Sequence, residues 1–208
     1  MKGILPILFL LSSFVISCVE KADRKTTKPS VPVETVDEIP DTTVDISLLH
    51  YDNKTSQWTL DTLLYSGHAV SYYQDGVLKE KISFLIGKKQ NQSTQWFADK
   101  HLKRILNYHR GKLHGEKKSW SPDGNHILLS HLHYQMGKAH GTQTFWYPTG
   151  ELYKKLTLNM GREEGMQQAF RKNGELYANY EARNGRIFGL KKAALCYGLE
   201  DEEIQYED

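Results

Sequence analysis

Apolar side chains recur at alternate positions in five short stretches: Ile82 and Phe84, Leu106 and Tyr108, Leu132 and Tyr134, Leu156 and Leu158, Tyr180 and Ala182. Successive side chains of an extended chain point to opposite faces, so a period of two predicts strands with each pair on one face. Three residues beyond each pair stands a glycine, Gly87, Gly111, Gly137, Gly161 and Gly185, at spacings of 24, 26, 24 and 24. The glycine opens a frame that reads GKKQN, GKLHG, GKAHG, GREEG and GRIFG. Five residues after the last position of the frame comes an aromatic, seen as Trp96, Trp120, Trp146 and Phe170, with Tyr72 the equivalent after Gly67. Turn-forming residues follow: Asp75-Gly76, Asp99-Lys100, Asp123-Gly124, Thr149-Gly150 and Asn173-Gly174. Asp-Gly and Asn-Gly tolerate the positive φ of a tight turn, so each unit is predicted to be a β-hairpin.

A regular period of this length predicts a repeat architecture. A lone hairpin is marginal in water, so the units are expected to share a core by stacking edge to edge. The expected fold is all-β: an elongated single-sheet antiparallel meander of stacked hairpins, with a period of about 24 residues. The aromatic column is expected to be core, with Trp120→Ala costing about 3–5 kcal/mol. The opening glycine is read as the turn between hairpins, and the closing one as a point of close backbone approach. The third unit carries two extra residues around His126, expected as a bulge or lengthened strand, and Lys100 and Asn91 at glycine slots suggest a distorted turn in the copy between Gly87 and Gly111. A degraded half-unit, with Leu63 in the glycine slot, would place Trp58 and Leu60 in the alternating columns.

The ends change this picture. Residues 1–17, MKGILPILFLLSSFVIS, hold one early lysine and an apolar run too short to span a bilayer, which reads as an export signal. Val15-Ile16-Ser17-Cys18 resembles a bacterial lipobox, which implies that Cys18 is lipidated and becomes the N-terminus. Cys196 is then the only unmodified cysteine, and no internal disulfide is available. Residues 18–47, rich in Thr, Pro and charge, read as a disordered tether; 48–189 as the repeat body; and 190–208 as a cap, LKKAALCYGL, followed by an acidic tail. The net charge of +2 conceals an asymmetry: 22 basic and 12 acidic residues lie in positions 48–199, leaving the body near +10 between acidic ends. Such a body favours an anionic surface or a contact with its own tail.

Every copy of the frame has a cation after its first glycine: Lys88, Lys112, Lys138, Arg162 and Arg186. With strands about 4.8 Å apart and two per unit, these charges fall about 10 Å apart along one edge, a row suited to phosphates or carboxylates. They are the candidate binding residues. His131 and His133 share a face at a spacing compatible with metal ligation, with His109, His114 and His140 in neighbouring units. The adjacent Leu132 and Tyr134 point inward, which turns the pair outward with no third ligand evident, so no metal site and no cofactor are assigned. No nucleophile elbow, phosphate loop or carboxylate pair with a base is present, so no catalytic residue is assigned and the chain reads as a non-enzyme. An exported lipoprotein has little access to nucleic acid, which is excluded as the expected partner.

The frames GKLHG and GKAHG, the Trp/Tyr column, and the turns YPTGEL (147–152) and RKNGEL (171–176) resemble the MORN repeat family, in the divergent form of bacterial lipoproteins and antitoxin-like proteins. The resemblance covers roughly Tyr65 to Gly189. It implies a binding scaffold: a lipid-anchored protein of the bacterial cell envelope, periplasmic or surface-facing, whose repeats engage a protein partner or anionic lipid. It also leaves open an antitoxin or immunity role, in which the chain neutralises a toxin by direct binding.

Overall fold

The alternating runs fold as strands. The computed structural model describes residues 38–190, which lie in the second of two units into which the chain divides, Val36–Asp208. The expected signal, Cys18, Cys196, the cap after Leu190 and the acidic tail fall outside the described residues. Strand β1 (Thr43–Asp45) and a single 3-10 turn precede three short strands, β2 (Leu49–Asp52), β3 (Gln57–Leu60) and β4 (Leu63–Leu64). The repeats supply β5 (Gly67–Tyr72), β6 (Leu78–Leu85), β7 (Lys88–Lys89), β8 (Asn91–Trp96), β9 (Leu102–His109) and β10 (Lys112–Trp120). They continue as β11 (Leu128–Gln135), β12 (Lys138–Ala139), β13 (Gly141–Trp146), β14 (Leu152–Asn159), β15 (Arg162–Phe170), β16 (Leu176–Arg183) and β17 (Arg186–Leu190).

From β5 to β17 the strands follow one another in chain order across one open antiparallel sheet, with β7 and β12 as short starts beside β6 and β11. This is the expected meander of hairpins. Two features were not expected. Strand β1 pairs in parallel with β5, so Thr43 to Asp45, assigned by composition to the tether, are folded and cover the first sheet edge. Strands β2, β3 and β4 form a separate three-stranded sheet. The half-unit keeps the two-residue turn but one position earlier than expected: Leu60 faces Leu63 as Leu85 faces Lys88, which puts Thr62 and not Leu63 in the glycine slot. Trp58 and Leu60, however, leave the large sheet and pack on it from the side.

The glycine frame is explained by its backbone. At each hinge two residues reverse the chain, both at positive φ: Ile86 at 49° and Gly87 at 70°, Arg110 at 50° and Gly111 at 81°, and likewise through Asn184 and Gly185. Two successive left-handed residues make the turn whose twist matches paired strands. The tight two-residue turn therefore sits at the hinge, while the Asp-Gly and Asn-Gly sites lie in longer loops, of five residues except in the third unit. Just past the hinge the register steps by two: Tyr108 faces Leu113, but Leu106 faces Lys117. Gly115, Gly141 and Gly165 occupy that bulge at φ 89°, 81° and 90°, and Asn91 takes the same place at 59°. In these three units the closing glycine is thus a bulge residue and not the expected close approach, which does hold at Gly189, where an added Cβ would meet the Asn179 carbonyl oxygen at 2.9 Å. The final pair, β16 and β17, keeps one register throughout, so GRIFG shares the frame without the bulge.

The five-residue loops are alike. Gly76 donates to the Tyr73 carbonyl at 3.0 Å, and Lys100 to that of Phe97 at 3.0 Å, as do Gly150 and Gly174 to Tyr147 and Arg171. Lys100 enters the left-handed region at φ 71°, so the expected distortion does not occur. In the third unit the two extra residues lengthen the loop between Trp120 and Leu128, leaving the strands unchanged. There the Ser121 hydroxyl bonds to the Asp123 carboxylate and accepts from the Ile127 N–H at 2.9 Å.

Burial corrects the expected core. Ile82, Phe84, Leu106, Leu132 and Tyr180 are buried as the alternation predicts. The aromatic column is not: Tyr72 is exposed, and Trp96, Trp120, Trp146 and Phe170 are only half-buried. No second layer faces these rings among the described residues, so their outer faces stay in water. The main cluster gathers instead where the small sheet meets the large one, with Leu49, Tyr65, Ala69, Ile82 and Phe84 buried and Val44, Ile46, Trp58 and Leu60 packed around them. Trp58 and Tyr65 approach the Phe84 ring at 5.6 and 5.9 Å.

Candidate functional site: a stacked cation row and its aromatic end

The hinge turns stack on one another, and this builds the cation row. The N–H of four of the five hinge glycines donates to a carbonyl of the preceding unit: Gly87 to Tyr65, Gly111 to Lys89, Gly137 to Leu113 and Gly161 to Ala139, at 2.7–2.8 Å. Each bond fixes one turn over the next. The cation following each glycine is therefore presented at one repeated position, where Lys88 faces Leu85, Lys112 faces His109, Lys138 faces Gln135, Arg162 faces Asn159 and Arg186 faces Arg183. The stem of Lys88 lies beside Gly111, and that of Lys112 beside Gly137. All five cations are exposed, and none enters an ion pair among the described residues. At about 10 Å in water, neighbouring charges repel by only about 0.4 kcal/mol before salt screening, so the row is cheap to maintain.

At its first end the row opens into a cavity of about 410 Å³ between the two sheets. Lys88, Lys89, Arg110 and Lys112 line it together with Tyr51, Trp58 and Tyr108, and no carboxylate does. Lys89 and Arg110 were not assigned from sequence; the signal was available, since each flanks a hinge glycine, but only the sheet junction brings them together. The Lys89 ammonium sits 5.4 Å from the centre of the Tyr108 ring. Burial pushes its pKa below the ordinary lysine value, against the opposing pull of Glu80. A desolvated cation over a ring gains from any anion that enters.

The histidine pair lies on the face opposite Leu132, as expected, but it is not alone. Strand register sets Glu116 directly across from His133 and Lys118 across from His131. Glu116 Oε1 lies 3.0 Å from His131 Nε2 and 3.8 Å from His133 Nε2. Lys118 Nζ holds the other oxygen at 2.8 Å. That bond leads the causes that lower the Glu116 pKa, followed among the lowering ones by the bond with His131, and it keeps the group a carboxylate. His109 and His114 approach each other at 5.7 Å but stay outside this group.

The MORN repeat variant family matches the chain at residues 65–85 and 139–159. Each match spans one strand, five-residue loop and strand, β5 with β6 and β13 with β14. No curated protein matches the chain. The hairpins between and after the two matches repeat the same hinge, with the loop lengthened by two residues between Trp120 and Leu128 and the bulge missing between β16 and β17. The chain is a MORN-repeat-like protein.

Proposed function

We propose that the protein is a non-enzymatic binding module, tethered to the bacterial cell envelope through lipidated Cys18, whose cation row docks on a phosphate-bearing lipid surface. What supports this reading above all is the cavity at the head of the row, where four cations and three aromatic rings meet without a carboxylate. Phosphates would sit along Lys88, Lys112, Lys138, Arg162 and Arg186, while rings at the cavity accept the apolar part of a headgroup region. The repeat body carries the binding and the anchor supplies proximity, with the basic surface adding an electrostatic contact to anionic headgroups.

The test uses the full chain and a variant with Lys88, Lys112, Lys138 and Arg162 all changed to Gln, incubated with vesicles of anionic or zwitterionic phospholipid. The anchor is common to both proteins, so the difference reads the row. Each lost cation near an anionic surface should cost about 1 kcal/mol, and added salt should erase the difference. Equal, salt-insensitive retention of both proteins would overturn the reading. Selective, stoichiometric capture of one envelope protein in place of lipid would move the assignment to the immunity role.

A further inference from the structure

On the opposite side of the sheet from Leu132, we infer that Glu116, His131 and His133 form a binding site for one divalent transition ion of the zinc class. Two imidazoles and a carboxylate are the ligand set such borderline ions take, and three protein ligands leave a fourth position for water or a group on a partner. The three ligand atoms lie within 4.8 Å of one another. In a tetrahedral site with bonds of about 2.1 Å, neighbouring ligand atoms stand about 3.4 Å apart. The separations of 3.0 and 3.8 Å from Glu116 Oε1 bracket that value.

The surroundings favour ligation. His133 Nδ1 lies 2.7 Å from the Thr142 carbonyl, an acceptor only, so Nδ1 carries the proton and Nε2 keeps its lone pair toward Glu116. Orientation of a ligating imidazole by a backbone carbonyl is the usual outer support of a metal site. His131 Nε2 is buried, with Glu116 Oε1 3.0 Å away. Lys118 anchors Glu116 through Oε2 and leaves Oε1 to the two rings. Its charge also repels an incoming cation, which favours an ion bound by directional N and O ligands over one held by charge alone.

A second group on the chain, Asp99, His101 and His126, makes the contrast. There the two imidazoles stack face to face, 3.5 Å between centres and 15° from parallel. In-plane lone pairs of stacked rings run side by side and do not converge. In the first group the rings are tilted by 38°, with centres 4.7 Å apart.

The experiment titrates Zn2+ into the full chain carrying Cys196→Ser, to remove the free thiol, with Ca2+ as the hard-ion comparison. Co2+ substitution reports ligand geometry through its visible spectrum. One Zn2+ per chain is expected, with no competition from Ca2+, and with affinity falling at least about tenfold in Glu116→Gln and in His133→Ala. His101→Ala should bind as the parent does. Circular dichroism confirms that each variant is folded; since both altered side chains are on the surface, Glu116→Gln keeps its shape and remains decisive. No saturable Zn2+ binding, or binding unchanged in folded Glu116→Gln and His133→Ala, would overturn the site.

Discussion

The side-chain amide of Gln167 donates to the Thr157 carbonyl at 2.6 Å, across the bulge that opens between β14 and β15. The bulge leaves that carbonyl without its ladder partner, and the fully buried glutamine replaces it, donating also to Gly165 at 3.2 Å. Gln143 does the same for the His133 carbonyl at 2.9 Å one unit earlier. A buried carbonyl left unpaired costs about 1–3 kcal/mol. Gln167→Leu is therefore expected to lower the unfolding free energy by that amount in urea melts. An unchanged midpoint would show that the bulge does not depend on the amide.

Stability should be concentrated at the junction of the two sheets. Phe84 is fully buried against Trp58 and Tyr65, and Phe84→Ala should cost about 3–5 kcal/mol. Trp120, half-buried on an uncovered face, should cost only about 1–2 kcal/mol as Ala. The order of the two denaturation midpoints decides where the core lies.

Lys100 adopts φ 71° in a loop where its counterparts Gly76, Gly150 and Gly174 stand at 79°, 102° and 86°. A side chain in that region is strained by about 1–2 kcal/mol, partly offset by the greater freedom that glycine gives the unfolded chain. Lys100→Gly is expected to raise stability by roughly 0.5–1 kcal/mol, read as a higher melting temperature. A lower one would mean that the lysine makes contacts worth more than the strain.

The Tyr180 hydroxyl donates to Glu163 Oε1 at 2.9 Å, and its pKa is pushed up to about 12, by burial first and then by the carboxylate. The neutral phenol is thus favoured in the folded state. This stabilisation is complete below the unfolded tyrosine value near 10 and is lost as pH rises through about 12. Wild type should lose stability between those values, and Tyr180→Phe should lose less over the same interval. Parallel curves would deny Tyr180 that part of the alkaline transition.

How the bulges are built was only partly legible in the chain. The glycine spacing announced the hinges, and Gly87 and Gly111 do reverse the chain with a residue before each also left-handed. The closing glycine was visible as a repeated residue, but its bulge follows from cross-strand register, which a single strand does not carry. The same holds for Glu116: it is an ordinary residue in GKLHGEKK until pairing sets it against His133. Trp58 read as another member of a column, because local alternation cannot say when a strand leaves one sheet for another.

By itself the sequence determined the all-β repeat, its period, the positions of the reversals and the cation after every hinge, because each of these depends on local backbone preference and on side-chain alternation. Tertiary structure alone decided which rings are buried, where the two sheets meet, and which charges and imidazoles become neighbours. Those are properties of strands brought together from distant parts of the chain, so the free energy that selects them is absent from any single stretch of it.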